Sequence, residues 1–288
     1  MLDIKNLQRK IDNVTIIKSV TAQVKAGDVI ALLGKNGAGK TTLLETLLGF
    51  SFPSFGGVQI WGENATEMKG DIKQRIGFVP QQDELLAGFN GREHIDLFKA
   101  FRKTWNSELV DRLVAEWLIP MDIAARKMSV GQRQKLSILL AIAHEPELLI
   151  LDEPVASLDP VARRQFLQQL VDIAADENRA IIFSSHIVSD MERVANQVWM
   201  LQNGELSYQG GLDELKESIA RLTISAKENL PTNLGLSNVV KQRIQGEKAW
   251  VTLKNWSPEQ QEKIAQQLNA DVQVDYLSLE DIFLELNS

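Results

Sequence analysis

Alternating and continuous hydrophobic segments divide this chain into predicted strands. Two segments alternate apolar with polar residues, as strands with one buried face do. They are residues 2–5 and 20–24. Three uninterrupted apolar runs instead predict strands buried on both faces, as in a parallel sheet covered by helices. They are 29–33, 148–151 and 180–183. A short strand is also predicted at 58–61, and an apolar segment at 76–79 ends abruptly at Pro80.

Helical periodicity and capping residues predict helices between these strands. Apolar residues recur at helical spacing in 95–101 and in 109–117, and we interpret both stripes as core. Asn90 with Glu93, and Ser129 with Gln132, have the spacing of a capping box. A further helix is predicted after residue 159, because a proline occupies its first position.

The last quarter of the chain has a different pattern. Asn203-Gly204 lies between two apolar segments and predicts a hairpin. Beyond residue 211 we predict further strands at 222–226, 250–253 and 272–274, and helices at 257–268 and 278–286. These elements carry no cluster of chemically active residues. We therefore predict two domains: residues 1–215, with a helical subdomain at about 88–145, and a small α+β domain at 216–288.

Composition excludes several classes of protein. The chain has 288 residues, of which 44% are hydrophobic, so it can bury a sizeable core. It has no cysteine, which excludes disulfides and thiolate metal sites. Its net charge of −7 weighs against a nucleic-acid partner. No apolar run approaches the length that crosses a bilayer, so we expect a soluble chain whose membrane role depends on a partner.

One segment has the spacing of a phosphate-binding P-loop, G-x-x-x-x-G-K-[ST]. It follows the buried run 29–33 and leads into a helical segment that stops at Gly49. Its glycines let backbone N–H groups approach a phosphate, and the next helix directs its positive end toward the same anion. Lys40 is expected to reach the β- and γ-phosphates, and Thr41 to ligate Mg²⁺. The predicted nucleotide-binding residues are Gly34, Asn36, Gly37, Ala38, Gly39, Lys40, Thr41 and Thr42.

Polar residues follow the other two buried runs. Asp152 and Glu153 end one of them, and His186 follows the other. Ligands bind at the carboxyl ends of strands in open α/β sheets, so we expect these side chains to meet the phosphates. Asp152 is predicted to hold Mg²⁺, Glu153 to orient or deprotonate the attacking water, and His186 to contact the γ-phosphate. Taken singly, they could also be a charged strand exit and an ordinary turn histidine.

In this order the motifs resemble those of the ATP-binding subunit of an ABC transporter. The family's Q-loop matches Phe78–Gln81, and its L-S-G-G-Q signature matches Met128–Gln132. Walker B matches 148–153, the D-loop 156–159, and the switch histidine His186. The resemblance covers about residues 1–215. It implies an α/β P-loop NTPase fold with a RecA-like core, an N-terminal antiparallel β layer and a helical signature subdomain, followed by the small C-terminal appendage.

The resemblance also implies a mechanism. Two such chains, expected to be identical, pair head to tail and enclose ATP and Mg²⁺ between them. Each site then combines one chain's P-loop with the other's signature turn, Ser129–Gly131. An integral membrane permease is the implied partner, which places the chain at the cytoplasmic face of the membrane; no nucleic acid is expected. The resemblance adds Gln81, Ser129, Gly131, Gln132 and Asp159 to the nucleotide contacts, and Gln81 to the Mg²⁺ ligands.

Two residues depart from the family pattern. Val130 replaces the first glycine of the signature, which weakens the expected affinity there, whereas Gly131 is kept. Ile11 falls near the position of an aromatic residue that stacks on adenine. The tail 278–284 resembles that of exporter ATPases with separate membrane subunits, which handle drugs, peptide antibiotics, lipids or polysaccharides; alternatively, this helix only packs the appendage.

Two other functions fit part of the sequence. One is a soluble ABC ATPase that acts on DNA or in translation. Such relatives carry coiled-coil insertions, zinc motifs or two cassettes, and this sequence has none of these. The other is a catalytically silent regulatory cassette, which the intact Glu153 and His186 oppose.

Overall fold

The computed structural model describes residues 1–287, which form two compact units. The first comprises Met1–Gln209, and the second begins at Gly210, before the boundary predicted at residue 215. The strands associated with the first unit are β1 (Leu2–Ile11), β2 (Val14–Val24), β3 (Val29–Leu33), β4 (Phe55–Ile60), β5 (Glu63–Asn64), β6 (Ile76–Val79), β7 (Leu148–Leu151), β8 (Ala180–Ser184), β9 (Gln197–Gln202) and β10 (Glu205–Gly211). Its helices are α1 (Lys40–Leu47), α2 (Gly70–Lys73), α3 (Gly91–Ala100), α4 (Ser107–Glu116), α5 (Val130–Ile142), α6 (Pro160–Ala174) and α7 (Val188–Glu192).

These strands form one sheet in the order β5-β4-β1-β2-β10-β9-β3-β8-β7-β6. The part from β9 to β6 is parallel. Every residue of β3, β7 and β8 is buried, as the uninterrupted apolar runs predict. Because these strands run in one direction, their carboxyl ends lie along one edge, where the predicted chemical residues follow them.

The N-terminal layer is antiparallel, and β1 pairs with both β2 and β4. Its first two strands are longer than the alternating segments 2–5 and 20–24. Register shifts along the β1–β2 pair disturb the period of two, which explains why the pattern captures only part of each strand. The two strands meet at Asp12 and Asn13, which both have positive φ, of 47° and 64°. The predicted α/β class with an N-terminal β layer is confirmed.

The helical segments confirm both capping boxes and correct one predicted core stripe. Asn90 and Glu93 exchange the two hydrogen bonds of a capping box, as do Ser129 and Gln132. In α4 the predicted stripe is buried at Leu113. In and after α3, however, the side chain of Phe101 is 72% exposed, so the interpretation of this stripe as core is wrong there. The reason is that α3 ends at Ala100, so Phe101 is the C-cap residue and lies beyond the last helical position.

The second unit contains α8 (Leu212–Ser218), β11 (Ile219–Ala226), β12 (Val239–Gln245), β13 (Lys248–Lys254), α9 (Glu259–Leu268), β14 (Ala270–Tyr276) and α10 (Leu279–Asn287). Its antiparallel sheet has the order β12-β13-β11-β14. This is the strand order of a ferredoxin-like unit in which a loop at 227–238 replaces the first helix. The unit has its own core, which includes Leu222, Val251 and Ile264. Among the described residues, no helix is both long and apolar enough to cross a membrane.

Candidate functional site

The loop between β3 and α1 has the backbone of a phosphate cradle. Gly37 and Gly39 have φ values of 77° and 103°, which glycine adopts without strain. A Cβ atom at Gly39 would lie 3.0 Å from Cδ1 of Ile17 and 3.2 Å from Cγ2 of Ile16. The loop therefore requires glycine here both for its conformation and for its close packing on β2. It delivers the chain directly into α1, which begins at Lys40.

Lys40 is held inside this loop. Its side chain is only 8% exposed, and Nζ donates a hydrogen bond to the carbonyl of Gly34 at 2.8 Å. Gly34 itself packs tightly, because a Cβ there would lie 2.7 Å from the carbonyl oxygen of Leu201 in β9. The ammonium group is thus fixed at the mouth of the loop, where a phosphate would meet it.

Asp152 and Glu153 follow β7 and are oriented by Ser184 at the end of β8. The Ser184 hydroxyl donates to Oδ1 of Asp152 at 2.6 Å and accepts from the backbone N–H of Glu153 at 2.9 Å. Glu153 has a positive φ of 51°, a strained conformation for a residue with a Cβ. All three residues are buried. One hydroxyl thereby fixes the side chain of Asp152 and the backbone of Glu153.

The carboxylate of Glu153 joins Lys40 to His186. Its Oε1 lies 3.8 Å from Nζ of Lys40 and 3.2 Å from Nε2 of His186. Oε2 accepts a hydrogen bond from the backbone N–H of His186 at 3.0 Å. Burial raises the pKa of Glu153 above that of an ordinary glutamate, although His186 and Lys40 oppose this change. Such a carboxylate holds a proton more readily than an exposed one, as a general base requires.

The cluster opens into a cavity of about 400 Å³. Its lining contains most of the predicted site residues: Asn36, Gly37, Gly39, Lys40, Thr41, Thr42, Gln81, Asp152, Glu153 and His186. The remaining P-loop residues, Gly34 and Ala38, support the loop from behind. The structure therefore brings the P-loop, the two carboxylates and the histidine to one place, as expected from the strand ends.

The three predicted Mg²⁺ ligands also lie together. Thr41, Gln81 and Asp152 line both this cavity and a neighbouring one of about 660 Å³. They offer a hydroxyl, a carboxamide and a carboxylate, which are the hard oxygen ligands that Mg²⁺ prefers. The described residues contain no group of three or more His, Cys, Asp or Glu side chains suited to a metal. Since Mg²⁺ takes much of its shell from water and phosphate, this donor set fits a nucleotide-bound ion.

Four predicted contacts beyond the P-loop also lie outside the cavity lining: Ser129, Gly131, Gln132 and Asp159. Ser129 and Gln132 cap the N-terminus of α5 with each other's side chains. Asp159 caps α6, because its Oδ1 accepts the N–H groups of Val161 and Ala162, each at 3.0 Å. A single chain therefore does not bring these residues to its own P-loop cavity.

Outside the P-loop, the sequence analysis missed two residues of the site. Ile16 on β2 lines the cavity, whereas Ile11, the residue singled out at the expected base-stacking position, does not. Ser184 binds the Asp152 carboxylate and the backbone N–H of Glu153 through its hydroxyl. Ile16 carries no local sign of this role, because it follows from the path of β2 beside the P-loop. The Ser-Ser-His sequence at the end of β8 was the available clue to Ser184.

Comparisons with known proteins agree with this geometry. A family model described as ABC transporter matches residues 17–156. The chain is 32% identical to the bacitracin transport ATP-binding protein BcrA of Bacillus licheniformis, over 73% of this chain and 67% of that protein. It is 30% identical to the Nod factor export ATP-binding protein I of Burkholderia orbicola (strain AU 1054), over 75% and 73% respectively. A solved ATP-binding subunit of an ABC transporter has a TM-score of 0.70 at 27% identity, covering 75% of this chain and 92% of that one.

Proposed function

We propose that two copies of this chain close over two ATP molecules and thereby drive export through a separate membrane subunit. The premise is that the chain belongs to the ABC transporter family as an ATP-binding, ATP-hydrolysing subunit. The observation that carries this proposal is the Lys40–Glu153–His186 cluster at the mouth of the P-loop. The close approach of a cation, a carboxylate and a histidine in this cavity supports their joint action on one phosphate.

The roles of these residues follow from their contacts. The P-loop N–H groups and Lys40 bind the β- and γ-phosphates. Glu153 orients the attacking water and accepts its proton as oxygen bonds to the γ-phosphorus, while the bond to the β-phosphate oxygen breaks and ADP leaves with the electron pair. Its buried position favours this, because burial raises the pKa of Glu153. His186, already hydrogen-bonded to Glu153 through its N–H, contacts the γ-phosphate through its ring.

Magnesium would be held by Thr41, Gln81 and Asp152, whose oxygens line the same wall. When bound, the ion neutralises charge that develops on the phosphate oxygens. Ser184 keeps the Asp152 carboxylate pointed at this wall through its 2.6 Å hydrogen bond.

The second copy completes the site. Ser129, Gly131, Gln132 and Asp159 do not line this chain's own cavity, so we assign them to the partner's nucleotide. The N-terminus of α5 is suited to this role because it presents backbone N–H groups and the positive end of a helix dipole. Val130 at its first position is 55% exposed, so this surface is accessible to a second chain. ATP then links the two chains, and hydrolysis removes that link.

The surface beside α3 of this chain is suited to docking a membrane subunit. A cavity of about 280 Å³ is lined by Phe50, Phe78 and Phe98 together with Lys73 and Arg102. Phe50 and nearby Phe101 are 66% and 72% exposed, an unusual exposure for such large apolar side chains. We propose that a short amphipathic helix of the permease packs here. The adjoining 660 Å³ cavity shares Phe50, Phe78 and Phe98 with this groove and extends to Gln81.

Export is the favoured direction because the Nod factor relative is named as an export protein and the BcrA relative as a transport protein. The same names favour transport over the soluble, nucleic-acid-handling alternative. We further propose that the chain lies at the cytoplasmic face of the membrane, held there by the permease. Purification from membranes tests this: an integral membrane protein should co-purify with the chain, and capture of nucleic-acid factors alone would refute it.

The catalytic assignment is tested with Glu153→Gln. We expect loss of ATP hydrolysis with retained ATP binding, because the amide cannot accept the proton but keeps the shape of the side chain. The variant should also form an ATP-dependent dimer, measured by analytical ultracentrifugation. Lys40→Ala is the contrasting variant and should lose nucleotide binding itself. Wild-type turnover in Glu153→Gln contradicts the role of the carboxylate as the base, and unchanged ATP affinity in Lys40→Ala contradicts phosphate binding by the ammonium group.

A further inference from the structure

The loop at 81–89, which directly follows Gln81, is tied to the segment that precedes the signature turn. The N–H of Ala125 donates to the carbonyl of Phe89 at 2.8 Å, and the N–H of Arg126 donates to the carbonyl of Ala87 at 3.1 Å. Both donors lie shortly before Ser129. The loop that begins at the nucleotide cavity therefore ends in backbone contact with the approach to α5.

A shielded ion pair strengthens this link. Nε of Arg133, in the first turns of α5, lies 2.9 Å from Oδ2 of Asp83, two residues beyond Gln81. The two side chains are only 26% and 16% exposed, so water screens this pair less than it screens an exposed one. The same guanidinium donates through Nη1 to the carbonyl of Met128 at 2.8 Å, immediately before the signature turn. Arg133 thus bridges the loop and the turn.

The position of Arg133 supports a specific role for Asp83. A cation near a helix N-terminus is opposed by the helix dipole, whose positive end lies there. Asp83 offsets this repulsion, so the pair stabilises both the helix start and the attached loop. A displacement of Asp83 would therefore shift Arg133, and with it the Met128 carbonyl and the start of the signature turn.

We infer that Asp83 and Arg133 are positioning residues that set the orientation of the signature turn according to the contact Gln81 makes in the same chain's cavity. Gln81 lines both the P-loop cavity and the larger neighbouring one. A change in the contacts of Gln81 moves Asp83, which is two residues further along the chain. Asp83 in turn moves the start of α5 through Arg133. The inference rests on the proposed function in one respect, namely that the turn meets the partner's nucleotide. Its consequence is that ATP in a chain's own cavity prepares that chain for the opposite site, which makes the two sites cooperative.

Charge reversal tests the pair. Asp83→Arg, Arg133→Asp and the double reversal are made in the Glu153→Gln chain, which holds ATP without hydrolysing it. Each single reversal should raise the ATP concentration for half-maximal dimerisation about tenfold. The double reversal should restore the part of the loss that comes from the ion pair, because a carboxylate at position 133 no longer donates to the Met128 carbonyl. The matched control is reversal of Arg92–Asp122, an ion pair of similar length, 2.8 Å, but 66% and 79% exposed. That control should leave dimerisation unchanged.

A second readout works in the monomer. Because the chain contains no cysteine, Val130→Cys carries a single environment-sensitive fluorophore beside the signature turn. In dilute protein, ATP should shift its emission in the parent chain and, to a smaller extent, in the double reversal, but not in either single reversal. Binding of a fluorescent ATP analogue should stay within about threefold in all of them, because the P-loop contacts are unchanged.

The outcomes separate this inference from the proposed function. Failure of the Glu153→Gln chain to dimerise with ATP refutes the paired site, while the fluorophore still decides the role of the ion pair. An emission shift in both single reversals equal to that of the parent, or no rescue by the double reversal, overturns the inference. If a single reversal does not fold, as shown by its thermal melt, Asp83→Asn and Arg133→Gln replace the reversals, and loss of the emission shift in each is the expected result.

Discussion

At the scale of single residues, the site depends on the hydroxyl of Ser184, which bonds to two adjacent acidic residues. Asp152 and Glu153 are adjacent carboxylates, both buried, and they point to different partners. The left-handed backbone at Glu153 makes this divergence possible at a cost on the order of 1–3 kcal/mol. Ser184 offsets that cost, since it binds the Glu153 N–H and the Asp152 carboxylate at once. Strain at Glu153, the proposed catalytic carboxylate, is thus maintained by a residue outside the recognised motifs.

Ser184→Ala should impair catalysis and also lower stability. It removes the hydrogen-bond partner of two buried groups, and each group costs about 1–3 kcal/mol of stability when it is left unpaired. Loss of such a supporting contact typically lowers metal affinity or activity by about 10- to 100-fold. We expect a loss of this size in ATPase activity, together with a higher Mg²⁺ concentration for half-maximal rate. Ser207→Ala, which removes a hydroxyl bonded to the Met200 carbonyl, is the control. Unchanged Mg²⁺ dependence in Ser184→Ala would refute this role.

At the scale of elements, local chemistry determined where helices begin, but not which face they bury. Both capping boxes form as the spacing predicts, because each involves residues within one turn. The face of α3 was misjudged at Phe101, because the helix ends one residue earlier and buries Gly91 and His94 instead. The buried polar residue that secures the end of α5, His144, also lacks a local sign. Its Nε2 lies 3.0 Å from the carbonyl of Ile76 in β6.

His144 should make the stability of the protein depend on pH. Burial, with a smaller contribution from nearby Arg102, lowers the pKa of His144 from 6.5 to about 4. The folded state therefore favours the neutral ring. The stability that this preference contributes is complete above pH 6.5 and is lost as the pH falls toward 4. This pKa shift corresponds to roughly 3 kcal/mol in the free energy of unfolding.

Urea unfolding at several pH values measures this effect in the wild type and in His144→Gln. The amide of glutamine can still donate to Ile76 but does not titrate in this range. The free energy of unfolding should therefore fall more steeply in the wild type than in the variant between pH 6.5 and 4. Parallel curves for the two proteins would show that His144 does not carry the dependence.

At the scale of the whole molecule, the nucleotide cavity belongs to one of the two compact units. Every residue that lines the 400 Å³ and 660 Å³ cavities lies between Ile16 and His186. The second unit has a separate core around its four-stranded sheet. Its fold does not indicate a function, since ferredoxin-like units serve many. Phosphate binding and the second unit are therefore separable in principle.

A chain that ends after Gly211 should bind ATP as the full chain does. We expect the dissociation constant for a fluorescent ATP analogue to stay within about threefold, because no cavity residue is removed. Lys40→Ala in the shortened chain is the control and should abolish binding. A shortened chain that melts cooperatively but no longer binds ATP would show that the second unit supports the cavity.

The sequence by itself determined the buried strands, the capped helix starts and the ordered set of motifs, and with them the family and its ATPase activity. These depend on residues that are close in sequence, so spacing and hydrophobic pattern reveal them directly. Only the tertiary structure revealed Ile16 in the cavity, the hydrogen bonds of Ser184 to Asp152 and Glu153, and the Asp83–Arg133 pair. Each of these contacts joins segments that are far apart in sequence, and folding alone brings them together.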